Sequence, residues 1–417
     1  MSKVNKQSLR SSPSAAGLKQ SLRSSPTKSV AGLRRFILAF LVAFGTILAL
    51  VCFELILRFT LPEPENLAKL SSSSLFLFEN KPGATFPVAR SGEFNNLVTI
   101  NSYGFRDDEF KREKEEGTTR IAVLGDSQEE AMQVPLDLTW QKVMARRLEL
   151  GLGKRVETYN FGVNGYGTDQ EWLILTQKVW QFVPDMVILA FSPNDVGDTF
   201  KNRLVRIREG EIEIISSKER AGGNFLGKAL RETYMYHMMA KATGGWKFSK
   251  LVFEKARTRI LGYEREERFF LSDAQLVQGP FEVIASQKNP PIEVAETWEV
   301  VGAMISDMAR QAGEHGAKFL VTINIPRAQV REPDWIYLRD LYHLDAGNSS
   351  SYEINEVLAG IVASFGVDFY DPRLDAIEWR NRRGDLHFEQ DAHFNENGNE
   401  FMGTKVAEYI LGNNLIN

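Results

Sequence analysis

A doubly wound, three-layer α/β/α domain with a parallel sheet is the fold this sequence predicts, and three observations carry the expectation. Short apolar runs of strand character recur at residues 120–124, 185–191 and 318–323. Segments of helical length separate them, the rhythm of βαβ units. Residues able to do chemistry cluster where the runs end, the rim at which open α/β sheets place their ligands.

The chain begins with a basic leader. Residues 1–35 hold eight Lys/Arg and no acid, and Lys6-Gln7-Ser8-Leu9-Arg10-Ser11-Ser12-Pro13 recurs at 19–26. Ser-rich and without aromatics, this segment cannot bury a core and is expected to be a disordered tail. Residues 36–59 then run apolar, uncharged for 18 residues before Glu54. At ~1.5 Å per residue, ~20 residues cross a hydrocarbon core of ~30 Å, so this is a transmembrane helix. A removable signal peptide is the rival reading; the long leader and the lack of a small-x-small cleavage site favour an anchor. Cations precede it and Pro62-Glu63-Pro64-Glu65 follows. The positive-inside rule therefore puts the N-terminus in the cytoplasm and the body on the periplasmic face of a cell inner membrane.

Residues 60–119 read as an irregular linker and N-terminal extension, with Ser71 to Ser74 as a spacer and a strand and turn over residues 97–106. The main domain is expected over 120–417: strand 120–124, helix 138–150, strand 156–160, helix 168–182, strand 185–191, helix 294–314, strand 318–323, helix 351–365, strand 367–369 and helix 396–411. Residues 197–292 interrupt the rhythm as an insertion, with a turn at Glu209-Gly210 and aromatics at Trp246, Phe248 and Phe253. Those aromatics suit either a recognition surface or the core of a small subdomain.

Composition excludes several classes. Beyond residue 59 lie 41 of the 50 Lys/Arg and 53 of the 54 Asp/Glu, a net of −12 that argues against nucleic-acid binding. The single cysteine, Cys52, lies in the apolar segment, so the body has no disulfide, thiolate nucleophile or Cys-ligated zinc. His387, Asp391 and His393 are metal-ligand types, but no His-Glu-x-x-His pattern occurs and no metal is expected. Gly162-Val163-Asn164-Gly165-Tyr166-Gly167 lacks dinucleotide spacing, no phosphate loop appears, and no cofactor is expected.

The run Ile121-Ala122-Val123-Leu124 stops at Gly125-Asp126-Ser127, placing a hydroxyl at a strand's carboxyl end. Alone, Ser127 reads more readily as the cap of a helix near Glu129 than as a nucleophile. Three further clusters accompany it: Asn160-Phe161-Gly162-Val163-Asn164-Gly165, Ser192-Pro193-Asn194-Asp195 and Asp391-Ala392-His393-Phe394-Asn395. Their order and spacing resemble the four signature blocks of the SGNH (GDSL-type) hydrolase superfamily of esterases, lipases and carbohydrate O-acetyl esterases or transferases. Asn101-Ser102-Tyr103-Gly104-Phe105-Arg106 is similar to a segment that precedes the first block in extracytoplasmic members.

The resemblance implies Ser127 as nucleophile, His393 as general base, Asp391 as its orienter, and an oxyanion hole of the Ser127 amide, Gly165 and Asn194. Two departures stand out. Ser192-Pro193 replaces the glycine that usually opens the third block, and one residue rather than two separates Asp391 from His393. Asp385-Leu386-His387 offers a second Asp-x-His, yet only His393 is followed by the Phe394-Asn395-Glu396-Asn397-Gly398 turn. The implied protein is a single-pass membrane-anchored serine esterase acting on O-acyl groups of a cell-envelope or exported polysaccharide, or on lipid esters. An acetyltransferase using the same residues and a non-catalytic envelope scaffold remain alternatives.

Overall fold

The computed structural model describes residues 27–60, 69–216, 233, 235 and 281–416. It falls into two compact units, one containing the N-terminal helix and one, the body, beginning at Glu63.

Helix α1 runs Thr27–Thr60, and its Gly32–Thr60 stretch, in which Leu57 is the one buried residue, is long and apolar enough to cross a membrane. It starts inside the leader expected to be irregular through residue 35. Leu33, Arg34 and Arg35 are good helix formers and continue the helix backward from the apolar run. Residues 1–26 lie outside the described residues. Arg58 donates to Glu54 at 2.9 Å, an i,i+4 pair on one face of the helix.

The body opens with two antiparallel hairpins where an irregular linker with a single strand over 97–100 was expected, and that strand is the end of β4. Strands β1 (Leu70–Ser73) and β2 (Leu77–Asn80) form the first, so the Ser71–Ser74 spacer is largely strand; β3 (Thr85–Arg90) and β4 (Phe94–Thr99) form the second. Serine-rich composition hid the first, and Pro87 hid the second because proline is tolerated only where no ladder donor is needed. Phe86, Val88, Val98 and Ile100 bury a small core against Met132.

The main sheet joins β5 (Thr119–Leu124), β6 (Val156–Asn160), β7 (Met186–Phe191), β10 (Lys318–Ile323) and β11 (Asp368–Tyr370) in the parallel order β6-β5-β7-β10-β11. Every residue of β5 and β7 is buried, which is why they read as unbroken apolar runs. The one-turn helix α2 (Ser127–Glu130) follows β5. Helix α3 (Trp140–Leu152) packs on the last helix of the chain, while α4 (Thr168–Ile174) packs on a long helix of the second half. After β7 come α5 (Asp195–Asn202) and the hairpin of β8 (Val205–Arg208) and β9 (Glu211–Ile214), turning at Glu209-Gly210 as expected. The described parts of the 197–292 insertion are thus regular elements, closing with α6 (Phe281–Ala285) and the start of α7 (Ile292–Glu314). Trp246, Phe248 and Phe253 lie outside the described residues.

Beyond β10 come α8 (Arg327–Val330), α9 (Glu332–Leu341), α10 (Glu353–Ser364), α11 (Arg373–Arg383) and α12 (Glu396–Gly412), of which α8, α9 and α11 were not expected. α12 is the partner of α3, and α7, the partner of α4, also contacts α10. The chain leaves β5 for β6 on one side and returns for β7 on the other. This reversal puts the switch point, the usual ligand crevice of an open α/β sheet, at the carboxyl ends of β5 and β7.

Candidate active site

Ser127 and Asn194 both follow strands that end at this switch point. The helix cap at the end of β5 is Asp126, whose carboxylate accepts the Gln128 amide at 2.9 Å, and Ser127 Oγ makes no hydrogen bond among the described residues. The capping alternative for Ser127 therefore falls to its neighbour. Glu129 reaches back to accept the Asp126 amide at 3.0 Å, closing a capping box. A side chain on Gly125 would put Cβ 2.1 Å from Glu129 Oε2, so this tight turn admits only glycine.

Beneath the serine lies a buried polar network. Ser192 Oγ donates to Asp126 Oδ1 at 2.9 Å and accepts the Asn324 amide at 2.9 Å. That explains the departure in the third block: a glycine at 192 has no hydroxyl to bridge Asp126 and Asn324. Glu129 accepts the Trp140 indole at 3.1 Å and the Asn324 amide at 3.1 Å. Burial, reinforced by the charge of Asp126, pushes the Glu129 carboxyl up to about 8. Burial likewise raises Asp126, opposed by the Gln128 amide, the Asn194 and Ser192 donors and the charge of His393.

Glu130 holds the second loop. Its carboxylate, fully buried with Lys69 (2.6 Å), also accepts the Asn80 amide at 2.9 Å and the Asn164 backbone N–H at 3.0 Å. Arg106, from the segment preceding the first block, donates to the carbonyls of Glu130 (2.8 Å), Ala131 and Val134 (2.6 Å) and fixes the left-handed bend at Ala131, φ +47°. Gly165 sits one residue beyond Asn164 at φ +81°, a conformation that favours glycine. The Ser127 and Gly165 amides, two of the three expected oxyanion donors, donate to no group among the described residues. The third is engaged: the Asn194 carboxamide donates to Asp126 at 2.9 Å and to Asp198 at 3.0 Å.

The two Asp-x-His pairs separate cleanly. Asp391 Oδ1 accepts both the His393 backbone N–H, at 3.0 Å, and His393 Nδ1 in a short contact, leaving Nε2 as the free ring nitrogen. Against burial, which raises it, the His393 side-chain and backbone donors, then the charges of His393 and Arg90, hold the Asp391 carboxyl low. By contrast, His387 is buried with Nε2 2.8 Å from the Ile325 carbonyl, and Asp385 pairs with Arg380 at 2.7 Å. Burial drives the His387 imidazole down to about 4. The structure brings Asp391 to His393 and does not bring Asp385 to His387.

Several contributors were not legible in the sequence. Gln128 Nε2 donates to the Ala392 carbonyl at 3.5 Å and Gln128 Oε1 accepts the Phe394 N–H at 3.2 Å. Gln133 Nε2 lies 3.0 Å from His393 Nδ1, while Gln133 Oε1 is buried without a partner among the described residues. Turning that amide over gives Nδ1–H a second acceptor and satisfies the oxygen. Arg327 donates to the Glu389 carbonyl at 2.7 Å, and Arg90 pairs with Asp391. The Gln128 and Gln133 contacts have one sequence-level signal, their position just after Gly125-Asp126-Ser127; the arginines have none. No group of three His, Cys, Asp or Glu placed to hold a metal exists among the described residues.

The chain matches no protein-family model and no curated protein sequence. Solved structures it resembles include the lipase/acylhydrolase from Enterococcus faecalis, at 12% identity over 71% of this chain and 96% of that one, TM-score 0.36. An acetyl xylan esterase aligns at 13% identity over 70% of this chain and 99% of its own, TM-score 0.35. A catalytic mutant of an acetylxylan esterase from Geobacillus stearothermophilus aligns at 9% identity over 70% and 94%, TM-score 0.37.

Proposed function

We propose that this protein is a membrane-anchored serine esterase of the SGNH type, with α1 as a single-pass inner-membrane anchor, the leader cytoplasmic and the body periplasmic. One observation carries the catalytic reading: an uncommitted serine hydroxyl at the switch point, whose next residue, Gln128, bonds the peptide on both sides of a histidine held through Nδ1 by an aspartate.

In this mechanism His393 Nε2 takes the Ser127 proton as Oγ attacks an ester carbonyl. Asp391 holds the tautomer and stabilises the imidazolium that forms. The Ser127 and Gly165 amides receive the oxyanion, joined by Asn194 once its carboxamide turns from Asp198. His393 then protonates the departing alkoxide, leaving an acyl-enzyme that water, or another hydroxyl, resolves. The substrate class, O-acyl groups on a cell-envelope or exported polysaccharide, follows from the family resemblance of the four blocks. Covalent labelling tests the reading: a fluorophosphonate probe applied to the full-length protein in detergent should modify Ser127 and no other residue, as mapped by peptide mass spectrometry. Absence of label, or label on another serine, overturns it.

A further inference from the structure

The β3–β4 hairpin, part of the N-terminal extension, holds the segment that leads into the candidate base. Asp391 divides its carboxylate between two partners: Oδ1 faces His393 Nδ1, and Oδ2 lies 3.1 Å from Arg90 Nη2. Arg90 Nη1 also donates to the Gln390 carbonyl at 2.7 Å, and Glu93 accepts the Gln390 N–H at 2.6 Å. Phe94 meets Phe388 edge-on with ring centres 5.1 Å apart. The hairpin turn therefore grips the chain over 388–391, immediately before the histidine. It is itself a stiff platform, paired from Thr85↔Thr99 to Arg90↔Phe94 and packed through Phe86, Val88 and Val98 on Met132. Asn96 donates to the Met132 carbonyl at 3.2 Å, and the next residue is Gln133, the second neighbour of His393 Nδ1. Both groups that meet Nδ1 are thus braced by one hairpin.

We propose that Arg90 is a positioning residue for the catalytic base: it fixes the plane of the Asp391 carboxylate, and through it the direction in which His393 Nε2 points. The inference rests on the hydrolase reading above. An arginine suits the task because its planar fork engages a carboxylate and a carbonyl together, which a lysine ammonium cannot do with the same geometry. Its charge has a second effect. By neutralising part of Asp391, Arg90 weakens the aspartate's support of the imidazolium that forms during proton transfer, so its removal should show in the pH profile of kcat/KM. The charged and titratable groups facing this pair are Glu93 and Arg90 from the hairpin, Asp126 from the serine turn, and His387 with its neighbour Arg327 beside the base loop.

The test uses full-length protein in detergent, with p-nitrophenyl acetate hydrolysis followed across pH for wild type, Arg90→Met and Arg90→Lys. Arg90→Met should lower kcat about tenfold with KM little changed, as expected for a misdirected base. The acid limb of its kcat/KM profile should move to higher pH. Arg90→Lys should return the limb to its wild-type position while leaving kcat reduced, a split that general loosening of the fold does not produce. The Nδ1 proton of His393, observed by NMR, should exchange faster in both variants, a readout independent of turnover. If Arg90→Met does not fold, Arg90→Lys alone decides: wild-type kcat and wild-type proton exchange overturn the proposal. Folded Arg90→Met with an unmoved profile overturns it as well. Wild-type protein that shows no Ser127-dependent turnover instead refutes the hydrolase reading, and the proton-exchange result then judges Arg90's contact with the dyad by itself.

Discussion

Gln128 brackets His393: its amide nitrogen reaches the Ala392 carbonyl at 3.5 Å and its amide oxygen receives the Phe394 N–H at 3.2 Å. The residue after the candidate nucleophile is in this way the ruler that sets the histidine's distance from it. Replacing Gln128 by Leu should keep the fold and the serine but lower kcat by one to two orders of magnitude, about the cost of displacing a base by 1 Å. Steady-state kinetics check this, with fluorophosphonate labelling at saturating probe to count intact sites. A Gln128→Leu enzyme with wild-type kcat contradicts the bracket.

His387 should report on stability rather than chemistry. Its imidazole is buried and neutral, lowered to about 4, whereas in the unfolded chain it protonates near its ordinary 6.5. Its contribution is therefore complete above 6.5 and is lost as pH falls toward about 4, a total of about 3 kcal/mol. Denaturant unfolding at a series of acidic pH values should show this slope in wild type and a flatter one in His387→Gln. The folded variant should retain ester turnover within a fewfold, while His393→Ala should abolish it.

Glu171, on α4, is a buried acid with no hydrogen-bond partner for either oxygen among the described residues. Burial, then the charges of Asp126, Glu129 and Asp169, hold its carboxyl well above the ordinary range. The unfolded chain releases this proton first as pH rises, so the folded state loses stability upward from the ordinary carboxylate range. Glu171→Gln should be more stable than wild type by about 1–3 kcal/mol near pH 9 and nearly equal near pH 5, because the amide has no proton for the folded state to retain while the unfolded chain releases it. Equal slopes in the two proteins would show that Glu171 is ionised throughout.

Topology has its own test. A reporter active only outside the cytoplasm, fused after Asn417, should be active in a bacterial host, with the fusion in the membrane fraction. Reporter activity confined to the cytoplasm contradicts the orientation; a processed soluble fusion would mark residues 36–59 as a signal peptide instead.

Strands β5, β7 and β10 were legible because burial on both faces turns them into continuous apolar runs. The placement of Ser127 after β5 and of His393 ahead of α12 was legible because their neighbours make tight turns, leaving Gly125 and the Asn395 cap as marks in the chain. Of the β3–β4 hairpin only the end of β4, in the strand expected over 97–100, was legible, since Pro87 and two asparagines, Asn95 and Asn96, mimic a loop. Arg90 and Asn324 were invisible for a different reason. They reach the site from strands or turns far away in sequence, Arg90 bonding across a separation of 300 residues, and no local pattern encodes such an encounter.

The central claim is that Ser127 is the nucleophile of an ester-cleaving reaction. Its most direct test is p-nitrophenyl acetate hydrolysis by purified wild type and Ser127→Ala, with circular dichroism to verify that both are folded. Loss of the nucleophile typically removes several orders of magnitude in rate, so the expected result is Ser127-dependent turnover that falls to background in the variant. Equal rates in two folded proteins would contradict the account.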